Sequence, residues 1–147
     1  MPPKQTKPAY RLSDLVSACA KTPEKVFVIK GAMVTADSDF QLKTQSAVIA
    51  FVGNGGLESP SWINTEPWEN NPHPQWRSSR DVSVVIWVDA HNFFSGPDKY
   101  GYVSFLWSPM TEKWNIKSFK KNDKSDPRNL PFKNALKGFQ FKKLENK

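Results

Sequence analysis

Tyr102 and Lys120 are the two residues of this chain whose types and spacing best suit phosphodiester chemistry. They lie in segments 101–107 and 113–120, where β-branched and aromatic residues alternate with a period of two, a pattern that predicts two strands. The proline-containing stretch between the segments predicts a turn. In an antiparallel hairpin the start of one strand faces the end of the next. We therefore expect Tyr102 beside Lys120 and Lys121, in a place that suits a phosphate.

The familiar catalytic motifs are missing from the sequence. There is no G-x-S-x-G nucleophile motif, no H-E-x-x-H and no nucleotide-binding glycine fingerprint. A zinc site cannot be assembled from Cys and His alone, because the chain has one cysteine, Cys19, and two histidines, His73 and His91. Cys19 itself lies on the apolar stripe of a predicted helix. RNA cleavage remains open because the 2′-hydroxyl is already the nucleophile, so that Lys, Arg, Tyr and Gln suffice. We predict no metal and no cofactor.

The elements that must position these residues predict an α+β fold. We expect a small twisted antiparallel sheet packed with two or three short helices; its strands lie near 25–30, 81–89, 101–107 and 113–120, with 138–142 as a further candidate. Apolar spacing predicts a first helix from Leu12 through Cys19, in which Ser13-Asp14 offers a cap and a first-turn acid and Thr22-Pro23 is the stop.

A second helix is predicted over residues 44–52, with Thr44 as its N-cap. Residues 32–43 fit either a helix or a turn-rich connection. We interpret 57–80, which holds four prolines and three tryptophans, as a long loop, and 90–100 as a connection. These elements form a single domain over 10–147, which follows a loose, proline-rich tail at 1–9 and ends in a basic segment at 111–147.

The net charge of +7 is concentrated at the C-terminal end. Residues 111–147 hold eleven basic and four acidic side chains, whereas the preceding residues are balanced. Such an end suits RNA or another polyanion, because each neutralised phosphate releases counterions. The candidate phosphate contacts are Lys117, Lys121, Lys124 and Arg128. The alternative is that the lysines only keep a hydrophobic terminal segment in solution.

The predicted loop carries three tryptophans, Trp62, Trp68 and Trp76. So large an aromatic surface is expected to have a packing partner. Either the domain buries them or a partner does, by stacking on nucleobases or by forming a protein interface.

Three patches, in the same order, resemble the MqsR-type toxins, which are RelE-like messenger-RNA interferases of type II toxin–antitoxin systems. They are Arg11-Leu12-Ser13, the stretch from Ala32-Met33-Val34-Thr35-Ala36-Asp37 to Val48-Ile49, and the tyrosine-bearing strand that leads to Ser118-Phe119-Lys120. The resemblance implies an α+β domain, metal-free cleavage of messenger RNA and neutralisation by an antitoxin. It places Tyr102 and Lys120 on active positions, and Gln75 or Arg77 where an active-site glutamine stands.

Three functions therefore compete. The first is a metal-free endoribonuclease toxin. The second is a nucleic-acid-binding module without catalysis, in which basic residues hold phosphates and tryptophans stack on bases. The third is a protein-interaction or inhibitor protein that uses the 57–80 segment. No signal sequence or apolar run of membrane-spanning length is present, so we expect a soluble, cytoplasmic protein without a membrane partner.

Overall fold

The computed structural model describes residues 5–68 and 85–128. Its elements are α1 (Leu12–Lys21), a 3₁₀ turn (Pro23–Lys25), β1 (Val26–Val28), α2 (Lys30–Phe40), α3 (Gln45–Gly53), β2 (Glu58–Pro67), β3 (Trp87–Ser95), β4 (Lys99–Ser108) and β5 (Lys113–Lys121). The strands form an open sheet in the order β1-β5-β4-β3-β2. The α+β class is confirmed.

The sheet is mixed, which corrects the expectation of a purely antiparallel one. β2, β3, β4 and β5 pair antiparallel, but β1 lies parallel to β5, with Val26 opposite Trp114. Parallel neighbours need a long crossover, and here the whole chain between β1 and β5 forms it. Local pattern carries no signal for such a distant pairing.

The helices at the start of the chain largely follow the sequence. α1 buries Leu15 and Cys19 and ends before Pro23, as predicted, but it begins after Arg11 without a side-chain cap. Ser13 lies inside its first turn, so the predicted cap is wrong, whereas Asp14 is the predicted acid of that turn. Burial raises the pKa of the Cys19 thiol to about 12. The thiol is therefore neutral at physiological pH, and Cys19 is a core residue.

α3 begins where its predicted cap lies, because the Thr44 hydroxyl accepts a hydrogen bond from the Ala47 amide at 3.0 Å. Most of the ambiguous stretch 32–43 is helix α2, which buries Ala32 and Ala36 one turn apart. This helix ends at Gln41, whose left-handed backbone (φ 59°) closes the last turn.

The interpretation of 57–80 as one long loop is wrong in its first half, because residues 58–67 form β2. Pro60 and Pro67 point to a loop in the sequence, since proline cannot donate to a ladder. β2 lies at the edge of the sheet, where a missing donor is tolerated. The register shifts between Glu58 and Ser61, beside Ser59 with its positive φ of 44°.

The third predicted strand is shifted along the chain. It begins at Trp87 and continues to Ser95, so most of the expected connection at 90–100 is strand, and a turn at Gly96 leads into β4. Residues 81–84 of that prediction lie outside the described residues, as does the candidate strand at 138–142. β4 and β5 agree closely with the predicted hairpin.

The tail predicted to be loose is hydrogen-bonded to the sheet from Gln5 onward. The Gln5 amide donates to the Thr65 carbonyl, and the amides of Ala9 and Tyr10 donate to the two carboxylate oxygens of Asp89 at 2.9 and 2.8 Å. Asp89 is fully buried and also accepts a hydrogen bond from the Thr65 hydroxyl. This buried carboxylate therefore anchors residues 5–10 to β2 and β3; residues 1–4 lie outside the described part.

The helices pack on one face of the sheet, which we call the helix-covered face and define by Phe93, Val103, Phe105 and Phe119, all fully buried. The rings of Phe93 and Phe119 lie 5.4 Å apart and both contact Phe40 of α2. Gly101 faces Phe93 across the ladder, and a Cβ at Gly101 would lie 2.2 Å from that ring. A glycine is required there by the close approach.

Side chains from the helices complete the edge of the sheet beyond β1. Thr35 and Asp39, one turn apart on α2, bind the free edge of β5: the Thr35 hydroxyl donates to the Phe119 carbonyl at 2.7 Å, and Asp39 accepts from the Lys121 amide at 2.9 Å. The Gln45 carboxamide pairs with both backbone groups of Val28 in the same way. These contacts hold the end of β5, where Lys120 lies, against α2.

Candidate functional site

The second face of these strands carries the polar residues. We call it the polar face and define it by Tyr102, Ser104, Ser118 and Lys120, which alternate with the core residues of β4 and β5. Tyr102 lies directly opposite Lys120, and Ser104 opposite Ser118. The ammonium nitrogen of Lys120 lies 5.4 Å from the centre of the Tyr102 ring. The predicted proximity of Tyr102 and Lys120 is therefore present.

A cavity of about 200 Å³ opens on the polar face next to Tyr102. It is lined by Asn64, Glu66, Pro67, Val88, Ala90, Tyr102, Ser104 and Lys117. The sheet order explains this set, since β2, β3 and β4 are adjacent and each contributes alternate residues. The cavity is small, of the size of a phosphate with part of its sugar, not of a large cofactor.

Lys117 reaches the cavity because of an irregularity in β5. Ser104 pairs with Ser118, whereas the next residue of β4, Phe105, pairs with Ile116. Lys117 is the extra residue of this bulge and has no partner in the ladder register. Bulges commonly redirect a side chain next to a functional site. Here the bulge adds a second ammonium group to the face that carries Lys120.

Ser104 at the cavity has an unmatched hydrogen-bonding group. The residue is 1% exposed, and its hydroxyl oxygen has no hydrogen-bond partner. Leaving a buried polar group unpaired costs about 1–3 kcal/mol. A ligand oxygen in the cavity would remove that cost, so Ser104 is a candidate contact that the sequence did not indicate.

Two carboxylates shape the electrostatics around Tyr102. Burial raises the pKa of its hydroxyl, and the negative charges of Glu66 and Asp123 raise it further. Tyr102 therefore stays protonated at neutral pH, where it can donate a hydrogen bond or a proton but cannot act as a base. Asp123 also lies 3.6 Å from the Lys120 ammonium, in a pair that is largely solvent-exposed.

Sequence reasoning missed Glu66, which lines the cavity. Asn64 and Glu66 alternate with the buried Thr65, and this period of two is a strand signal. The prolines and tryptophans around them made the segment look like a loop, so the alternation carried no weight.

The predicted cations Lys121 and Lys124 lie elsewhere, at the end of β5. They line a second cavity of about 480 Å³ together with Lys99 and the four carboxylates of Asp39, Asp98, Asp123 and Asp126. Three ammonium groups facing four carboxylates give no positive excess there.

Arg128 has a structural role that occupies its guanidinium. It binds the Asp126 carboxylate through two of its nitrogens, donates to the carbonyls of Gly96 and Lys99 at 2.9 and 3.2 Å, and lies 4.1 Å above the centre of the Phe94 ring. Hydrogen bonding to Asp126 accordingly raises the pKa of Arg128. The group holds the segment after β5 against the β3–β4 turn, and its predicted contact with a phosphate stays a prediction.

The tryptophans that the structure describes are engaged within the domain. Trp68 is 8% exposed and packs with Ile86, Val88 and Leu106, which leaves little ring surface for a base. The indole N–H of Trp62 donates to the Thr65 hydroxyl at 3.0 Å. Gln75, Trp76 and Arg77 were also predicted as site residues, and all three lie outside the described residues.

Residues 5–68 and 85–128 contain no group of three or more His, Cys, Asp or Glu side chains placed to hold a metal ion. Within these ranges, no helix has both the length and the apolar character needed to cross a membrane. Comparison with protein-family models gives no match, and no curated protein or solved structure is significantly similar to the chain.

Proposed function

We propose that this protein is a metal-independent ribonuclease that acts on single-stranded RNA at the polar face of its sheet. One observation supports this more than any other: Tyr102, Lys117 and Glu66 line one cavity on the polar face, and Lys120 lies beside the Tyr102 ring. A proton donor, positive charges and a proton acceptor are the groups that RNA transesterification uses.

The substrate supplies the remaining part of the reaction. The RNA 2′-hydroxyl attacks the adjacent phosphorus, so the protein need only orient the strand, move protons and stabilise the negative charge that grows on the phosphate. Lys117 and Lys120 supply that charge stabilisation. DNA has no 2′-hydroxyl, and we therefore expect it to bind without being cut.

The carboxylate in the cavity favours cleavage over simple binding. A surface that only holds phosphates gains nothing from a nearby negative charge, which repels them. Glu66 lies close enough to Tyr102 to influence its pKa. A binding module without catalysis, the second function that the sequence left open, would account for the lysines but not for this carboxylate.

A cleavage assay in excess EDTA tests the proposal. A labelled single-stranded RNA is incubated with the wild-type protein, with Lys120→Ala and with Lys21→Ala, which removes an exposed lysine of α1 as a matched control. We expect cleavage by the wild type and the control and a loss of about 10²-fold in Lys120→Ala, the usual effect of removing one charge-stabilising group. An uncut RNA with the wild type, or equal cutting by all three proteins, contradicts the proposal.

The toxin role, an antitoxin partner and a cytoplasmic location extend this proposal and rest on the sequence resemblance. They add the expectation that induced expression arrests bacterial growth and that Lys120→Ala relieves the arrest. If the wild type and Lys120→Ala arrest growth equally, the toxicity does not depend on the site on the polar face.

A further inference from the structure

We propose that Glu66 and Tyr102 are the base and the acid of this cleavage, placed on opposite sides of the scissile phosphate. The inference rests on the proposed function and goes beyond it by assigning the two proton transfers. Both line the same cavity on the polar face.

The strand register places the two residues at opposite ends of the cavity. Glu66 on β2 is in register with Val88 on β3, whereas Tyr102 on β4 is in register with Asn92, four residues further along β3. Between these two rows lies the row of Ala90 and Ser104. Their small side chains form the floor of the cavity and leave space between the carboxylate and the phenol.

This separation suits an in-line displacement at phosphorus. In such a reaction the attacking and leaving oxygens lie on opposite sides of the phosphorus atom, so the base and the acid must also be apart. A phosphate above Ser104 would place its non-bridging oxygens near the unpaired Ser104 hydroxyl and Lys117, which both line the cavity. Lys120, beside Tyr102, would stabilise charge on the leaving side.

The step balances without any other reactant. The Glu66 carboxylate accepts the proton of the 2′-hydroxyl while the bond between O2′ and phosphorus forms. The bond between phosphorus and O5′ breaks, and the Tyr102 hydroxyl gives its proton to O5′. The products are a 2′,3′-cyclic phosphate and a 5′-hydroxyl. Glu66 and Tyr102 then regain their starting states by proton exchange with water, and no atom is oxidised or reduced.

Charges of both signs surround the Tyr102 phenol. Glu66 and Asp123 raise its pKa together with burial, while Lys120 contacts the ring. The proton thus remains on the phenol at neutral pH until negative charge develops on O5′. An adjacent cation then helps the transfer by stabilising the phenolate.

The test separates binding from cleavage with Glu66→Gln and the matched control Glu24→Gln. Each variant removes one negative charge, but Glu24 is exposed in the 3₁₀ turn and is not among the residues that line the cavity. We expect Glu66→Gln to cut RNA about 10²-fold to 10⁴-fold more slowly. It should also bind a non-cleavable 2′-O-methyl RNA at least as tightly as the wild type. Glu24→Gln should cut at nearly the wild-type rate.

A modified substrate distinguishes the acid from the base. In RNA with sulfur in place of the bridging O5′, the leaving group needs no proton, so this substrate should restore cleavage by Tyr102→Phe and not by Glu66→Gln. Wild-type cleavage rates in Glu66→Gln, loss of 2′-O-methyl RNA binding in that variant, or equal rescue of both variants would overturn the assignment. If the wild-type protein neither binds nor cuts RNA, the proposed function itself fails.

Discussion

The two faces of the sheet use the same strands for different purposes. On β4 and β5, Val103, Phe105 and Phe119 are fully buried under the helices, whereas Tyr102 and Lys120, their immediate neighbours in sequence, lie on the polar face. Because side chains alternate along a strand, a change of one position moves a mutation from the core to the site. Stability and activity should therefore respond to adjacent residues in opposite ways.

The largest effect on stability is expected from Phe119→Ala. The Phe119 ring is fully buried and contacts the rings of Phe40, Phe51 and Phe93. Its removal should lower the free energy of unfolding by about 3–5 kcal/mol. Lys120→Ala, one residue away, should change it by no more than about 0.5 kcal/mol while abolishing most cleavage. Urea denaturation of both variants checks this contrast, and a similar loss in both would refute the separation of the faces.

A smaller loss is expected from Gly101→Ala on β4. The new Cβ would lie 2.2 Å from the Phe93 ring, and that ring is held by neighbouring aromatic rings and cannot move freely. Overpacking of this kind costs about 1–3 kcal/mol.

Gly31→Ala in α2 is the matched control, because nothing lies within 4 Å of the added atom. It should stabilise the protein by about 0.5–1 kcal/mol through helix propensity. Thermal unfolding measures both changes. If the two substitutions changed the free energy of unfolding in the same direction, the result would contradict the packing described for Phe93.

The smallest effect is expected on the pH dependence of the free energy of unfolding. It involves His91, a buried residue of β3. Burial lowers the pKa of His91, although the charge of Asp89 partly opposes this, and the ring stacks on Phe105. A folded-state pKa below the ordinary value of about 6.5 means that the unfolded chain binds the proton more readily. The contribution of neutral His91 to stability is therefore lost progressively as the pH falls below the ordinary pKa of about 6.5.

His91→Phe keeps the aromatic stack and removes the titration. Its free energy of unfolding should fall less than that of the wild type between pH 7 and pH 5, which denaturation curves at both values would measure. An identical pH dependence in the two proteins would show that His91 does not contribute to acid sensitivity.

Local signals were sufficient to predict the elements that depend on neighbouring residues. α3 follows from its Thr44 cap, α1 from its apolar spacing, and the β4–β5 hairpin from alternation around a turn. The approach of Tyr102 to Lys120 follows from that hairpin alone, because antiparallel register requires no knowledge of the rest of the chain.

The remaining features depend on contacts between distant parts of the chain. β2 contains two prolines and is acceptable as a strand only because it lies at an edge, and β1 joins the sheet through a parallel pairing with β5. Glu66 enters the site only once β2 is placed beside β3, and Lys117 only through a bulge. The contacts of Arg128 with Asp126 and two carbonyl groups likewise join segments that are far apart in the sequence.

Binding of RNA to the polar face is most directly tested by nuclear magnetic resonance with a 2′-O-methyl oligonucleotide, which binds but cannot be cut. The backbone amide signals of Glu66, Tyr102, Ser104, Lys117 and Lys120 should shift together as RNA is added, and the shifts should weaken as salt is raised. Signals from α1 and α3 should stay in place. Shifts confined to those helices, or no shifts at low salt, would contradict an RNA site on this face.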